Sequence, residues 1–215
     1  MKTLLTLLLV GSLLAITSCR SIYYKTMEAF GHHKRDLLVS RVQDARDAQE
    51  NAKEQFQSAL EKFSTVVDFR GGELEEIYEG LKTELERSES KAKTVSNRIS
   101  DVDDVANALF KEWESELEQY ANQDLRRSSE QKLRQTRQRY SQLIGAMKRA
   151  EGKIAPVLTA FRDQVLFLKH NLNAQAVISL HDELVSVETD IASLIKEMEA
   201  SIAEADAFIR SMGKE

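Results

Sequence analysis

From Leu38 onward, apolar residues recur along the chain in alternating steps of three and four. Leu38, Val42, Ala45, Ala52, Phe56, Ala59, Phe63 and Val66 form one such series, with Gln49 as its polar exception. That spacing draws a narrow stripe along a helix, the seam of a coiled coil, and predicts a helix from about His33 to Phe69. Gly71 and Gly72 predict its end, because glycine tolerates the left-handed conformation that follows a helix. A second series, Leu74, Ile77, Leu81, Leu85, Ser88, Ala92, Val95 and Ile99, predicts a helix from about Glu73 to Ile99. A short link between two helices makes them antiparallel neighbours.

Ser100-Asp101-Val102-Asp103 has the form of a capping box and predicts a third helix start. That helix carries Val102, Val105, Leu109, Trp113, Leu117 and Tyr120 on one face. It then crosses a polar stretch, Ala121 to Lys132, in which Leu125 alone is large and apolar, and resumes with Leu133, Tyr140, Leu143, Ile144 and Met147. Gly152 and Pro156 predict the next turn, since proline suits a first helical turn and not an interior. The fourth series begins at Ile154, Leu158, Phe161, Val165, Leu168 and Leu172. It shifts phase near Asn171 to Ala176, a shift that locally unwinds a supercoil, and runs from Leu180 to Ile209. No segment alternates with the period of a strand. The expected fold is all-α: an elongated antiparallel bundle or coiled coil of about four long helices. A fourth helix of about 55 residues would measure about 80 Å at 1.5 Å per residue, roughly twice the second. Either helices three and four extend past the first hairpin as an arm, or the chain bends at Asn122–Ser129 and folds back.

The segment before the first helix has a different character. Lys2, the apolar run Leu4 to Ala15 and the small residues up to Ser18 have the layout of a secretory signal peptide. Ile16-Thr17-Ser18-Cys19 resembles a bacterial lipobox, and Cys19 is the one cysteine of the chain. The resemblance implies cleavage before Cys19, lipidation of its thiol, and a mature protein that begins there. The apolar run is shorter than the roughly 20 residues of a membrane span. The expected organisation is therefore a leader over 1–18, an anchor and linker over 19–32, and one elongated helical domain over 33–212. Arg20 follows the cysteine; lipoproteins kept in the inner membrane commonly have Asp there, so the expected location is the outer membrane, facing the periplasm. Tyr23, Met27 and Phe30 share a helical face that suits either a membrane interface or the bundle.

The composition fits long helices: 30% charged residues, one proline, eight glycines and few aromatics. The formal charge of −5, or −6 once Lys2 is removed, argues against nucleic acid as a partner. One cysteine allows no internal disulfide. Catalysis finds no footing. His32 and His33 point to different sides of a helix, and His170 and His181 are three turns apart. There is no zinc-binding His-Glu-x-x-His, no Gly-x-Ser-x-Gly and no phosphate-binding Gly-x-x-x-x-Gly-Lys-Ser/Thr. No catalytic residue, metal or cofactor is expected.

Two features stand out as candidate contacts. Nine basic residues lie between Arg126 and Lys153, among them Arg126, Arg127, Arg134, Arg137 and Arg139, against only Glu130 and Glu151. Asp182 to Asp206 is the reverse, with eight acids and one lysine. These are either solvated faces joined by ion pairs, or a surface for an anionic partner such as peptidoglycan, lipid headgroups or an acidic protein. Val165-Leu166-Phe167-Leu168 is the most apolar run after the leader, to be buried by a bend or covered by a partner or a second copy.

Two stretches carry a family resemblance: SIYYKTMEAFGHHKRDLLVSRVQDARDAQENAKEQFQSALEKF, from Ser21 to Phe63, and FLKHNLNAQAVISL, from Phe167 to Leu180. They resemble the bacterial lipoprotein family known as domain of unknown function 2959, which has no assigned reaction. Members are sometimes labelled DNA-repair ATPases, and this chain lacks the nucleotide motif such a label requires. The expectation is a non-catalytic envelope lipoprotein, held to the membrane by Cys19 and acting as a helical spacer or binding scaffold. It would meet an envelope protein or peptidoglycan, and its stripes would allow homo-oligomers. Alternatives are a periplasmic chaperone with an apolar cleft and an enzyme of unrecognised type.

Overall fold

A computed structural model of the chain describes residues 34–67, 74–171 and 174–213, with the side chains of 66 (the expected seam residue Val66), 67, 174–179, 181 and 182 outside the description. It contains four helices: α1 (Lys34–Val67), α2 (Leu74–Leu117), α3 (Gln123–His170) and α4 (Ala174–Met212). Among the described residues there is no strand.

The seam of α1 lies where the spacing put it. Leu38, Val42, Ala45, Gln49, Ala52, Phe56, Ala59 and Phe63 are all buried. Each helix packs on its chain neighbours, and α1 also packs on α4. Every adjacent pair runs antiparallel. Lys34 meets Glu112, while Gln55 meets Glu84 nearer the other end of the α1–α2 pair. Glu89 and Glu114 of α2 reach Arg162 and Arg137 of α3. Arg149 reaches Glu197 on α4, and Arg46 of α1 reaches Asp206. The result is an up-down-up-down bundle around one hydrophobic core. Across its diagonal, the rings of Phe63 and Phe161 meet edge to face, 6.2 Å between centroids, which is the preferred geometry of an aromatic pair.

Three expectations are corrected. The helix expected to end at Ile99 continues to Leu117, and Ser100–Asp103 lies in its interior. Val95, Ile99, Val102, Ala106 and Leu109 are all buried; this stripe is unbroken, so a local cap signal loses to continuous packing. The turn instead follows Leu117. Asn122 caps α3, its side-chain oxygen accepting from the backbone N–H groups of Asp124 and Leu125. The chain thus folds back, and the extended arm does not form.

The turn expected at Gly152 and Pro156 is also absent, and α3 passes through both residues. Proline removes one helical hydrogen bond, but Ile154, Val157 and Phe161 are buried on either side of it and hold the helix in register. The break falls at Asn171, whose backbone N–H closes the helix on the carbonyl of Leu168. The phase shift seen there marks a true helix end rather than a loosened supercoil. Four helices of 34, 44, 48 and 39 residues replace the expected short second and very long fourth. The Gly71-Gly72 turn lies outside the described residues.

The α1 start, α2 end, α3 start and α4 end share one end of the bundle, where Arg35 donates to the carbonyl of Met212. Cys19 precedes Lys34, the first residue of α1 at this end, by fifteen residues.

Candidate functional site

The candidate contact residues Arg126, Arg127, Arg134, Arg137, Arg139, Val165, Leu166, Phe167 and Leu168 all fall on α3. They do not form one site. Arg126 and Phe167 are forty-one residues apart on one helix, about 60 Å at 1.5 Å per residue.

The basic stretch is in large part paired within the chain. Arg127 meets Asp124 at 2.6 Å, and Arg126 and Arg134 share Glu130. Arg137 meets Glu114 on α2, and its guanidinium lies over the ring of Phe110, 5.2 Å from the centroid. The Arg137 hydrogen bond draws the Glu114 carboxyl below its usual range. Lys148 reaches Asp103 on α2 at 3.1 Å, and Arg149 reaches Glu197 on α4. The acidic stretch of α4 therefore lies beside the basic stretch of α3, and part of each charge run serves the register of antiparallel neighbours. Exposed pairs of this kind contribute about 0–1 kcal/mol each. Arg127 and Arg134 remain largely exposed while paired.

The apolar run splits. Val165 and Leu168 are buried in the core, whereas Leu166 and Phe167 are exposed. At 100° per residue, Leu166 flanks the α2 side of α3 and Phe167 the α4 side. The four residues form no single patch: the core accounts for half of the run. Cys19, the expected lipidation site, lies outside the described residues, as do Tyr23, Met27 and Phe30.

Three polar groupings were not anticipated. Gln49, fully buried on α1, accepts from the Ser201 hydroxyl of α4 at 2.8 Å, while its amide nitrogen has no partner. Tyr140 donates to Asp103, which also accepts from Lys148. The Tyr140 hydrogen bond holds the Asp103 carboxyl below its usual range; burial and the same bond push the Tyr140 phenol well above its own. The Trp113 indole donates to the buried Ser129 hydroxyl at 2.8 Å, which explains how a polar residue of the Ala121–Lys132 stretch enters the core. A chance polar residue within an apolar stripe was the one available signal, and Gln49 carried it.

A shallow groove of about 200 Å³ lies between α3 and α4, lined by Arg139, Gln142, Glu204, Ala207, Phe208 and Ser211. Ala207 and Phe208 supply its apolar floor, and the other four side chains are polar or charged. Among the described residues, no three His, Cys, Asp or Glu side chains are grouped to hold a metal ion, and no helix is long and apolar enough to cross a membrane.

Fold and surface together define an all-α, antiparallel four-helix protein whose charged groups pair both along and between its helices. The chain belongs to the protein family of unknown function DUF2959, whose model matches residues 23–212. A search of curated proteins found no match.

Proposed function

We propose that this protein is a non-catalytic envelope lipoprotein, tethered through lipidated Cys19, whose bundle acts as a spacer and binding scaffold. The observation that carries the reading is the Ile-Thr-Ser-Cys sequence closing an eighteen-residue leader, fifteen residues before the first helix. One acyl chain binds a bilayer only marginally, so stable anchoring takes several; the bacterial lipoprotein modification, by resemblance, attaches three. A linker of fifteen residues spans at most about 50 Å, which keeps the near end of the bundle close to the bilayer. The 48 residues of α3 then carry surface about 70 Å along the rod axis. Leu166 and Phe167 lie towards the far end, and the basic stretch of α3 towards the near end, so partners at two depths of the periplasm are within reach.

Metabolic labelling with an alkyne fatty acid tests the anchor. The wild-type chain takes up label and fractionates with outer membranes, and Cys19→Ala abolishes both. An unlabelled wild-type chain in the soluble fraction would reject the reading. Photo-crosslinkers placed near Arg137 and Phe167 in cells, read by mass spectrometry, identify the partner; a scaffold gives a recurrent envelope protein or cell-wall adduct at one of them.

A further inference from the structure

Leu125 lies on the core line of α3, one turn before the buried Ser129, yet it is 57% exposed. The reason is geometric. Lys34, the first residue of α1, is level with Glu112 of α2, and α4 closes at Met212 beside Arg35. Beyond that level α2 continues for five residues and α3 begins, so the α2–α3 hairpin projects by about 8 Å at 1.5 Å per residue. Among the described residues neither α1 nor α4 reaches the tip, and the core line of α3 continues outward with nothing packed over it. Tyr120, on the connecting loop, is 38% exposed. These are two of the five large apolar side chains that the described surface exposes, and they share the end at which the chain arrives from Cys19.

We propose that this hairpin tip docks on the surface of an anionic phospholipid bilayer, with Leu125 and Tyr120 entering the headgroup layer and the basic flank of α3 facing the lipid phosphates. The proposal rests on the lipoprotein reading for the closeness of the bilayer. Glu116 and Glu118 also lie at the tip, so the positive charge belongs to the α3 flank: Arg126 to Arg139 carries six basic residues, and the three acids paired with them, Asp124, Glu130 and Glu114, leave an excess of about three positive charges. Tyrosine is favoured at headgroup depth, and basic side chains reach from apolar surface to anionic headgroups. A second copy is a poorer occupant. Two side chains on a hairpin end offer far less than the roughly 800 Å² per partner of a specific protein interface. A bilayer needs no matching surface, and the tether supplies it at high local concentration. Docking would set the rod's tilt, which a flexible linker alone leaves free.

The test uses the mature polypeptide, residues 19–215, carrying Cys19→Ser so that no acyl chain contributes. It is floated with vesicles of phosphatidylglycerol and phosphatidylcholine in equal parts, and with phosphatidylcholine alone. For a contact reporter, Tyr120→Trp is combined with replacement of the one native tryptophan, Trp113→Phe, which puts a single indole on the tip itself, within reach of quenching by lipid brominated near the interface. The expected result is partition to the anionic vesicles with quenching of the tip indole, the partition lowered about tenfold or more by Leu125→Glu and about fivefold per charge by Arg127→Glu and Arg134→Glu. Leu166→Glu leaves partition unchanged. Both leucines are exposed, so equal thermal melts keep folding out of the comparison. Absence of binding, binding without quenching, wild-type binding by L125E, or tip-dependent self-association in place of partition each overturns the proposal. Acylation is read separately by labelling: a labelled Cys19 with no vesicle binding rejects the tip alone, and an unlabelled Cys19 rejects the anchor.

Discussion

Gln49 and Ser201 face each other inside a core that is otherwise almost wholly hydrocarbon, and their bond joins the first helix to the last. Removing one partner of a buried pair leaves the other desolvated and costs about 1–3 kcal/mol, whereas replacing both by apolar groups is close to neutral. Ser201→Ala should therefore lower stability in urea by about that amount, and Gln49→Leu with Ser201→Ala should recover most of it. Equal losses in the single and double variants would show that the bond contributes little. Asp103 supplies a second residue-level expectation. Its folded-state pKa is depressed, by Tyr140 first. Its contribution is then present above the ordinary carboxylate value of about 4 and lost as pH falls through the folded value. Tyr140→Phe removes the donor, so the Asp103 carboxyl, followed by carbon-13 NMR, should titrate at higher pH than in the wild type. An unchanged midpoint would remove Tyr140 as the cause.

At the level of elements, the apolar spacing made the number of helices legible, and it placed the α1 seam residue by residue. Boundaries were less legible because local signals compete with packing. Ser100–Asp103 has capping chemistry, yet Ile99 and Val102 bury on one continuous stripe and the helix continues. Asn122 was the stronger cap, hidden within a polar stretch whose Ser129 turns out to face the core. The projecting tip could not be read at all, since it depends on where α1 and α4 end relative to α2 and α3. Pro156 and Gly152 show packing prevailing over propensity inside α3. A methyl group added at Gly152 meets no atom within 4 Å, and glycine in a helix interior is less stable than alanine by about 0.5–1 kcal/mol. Gly152→Ala should raise the melting temperature in thermal denaturation; a drop would mean that the glycine relieves strain from the Pro156 ring.

For the whole molecule, stability rests on one core shared by four helices, with no disulfide available from a single cysteine. Phe56, fully buried in that core, should cost about 3–5 kcal/mol when replaced by alanine, measured as a shift in the urea midpoint. Basic α3 pairs with α2 through Arg137, Lys148 and Arg162 and with α4 through Arg149. The rod's two distinctive regions are the near-end tip and the far-end Leu166 and Phe167, each meaningful only if one end is held at a membrane. Lipidation of Cys19 is thus the claim on which the rest depends. Intact-mass and amino-terminal peptide analysis of the protein purified from its own cells tests it most directly. The account predicts a chain that begins at Cys19 and carries acyl groups on that residue. A chain that still begins at Met1, with an unmodified cysteine, would contradict it.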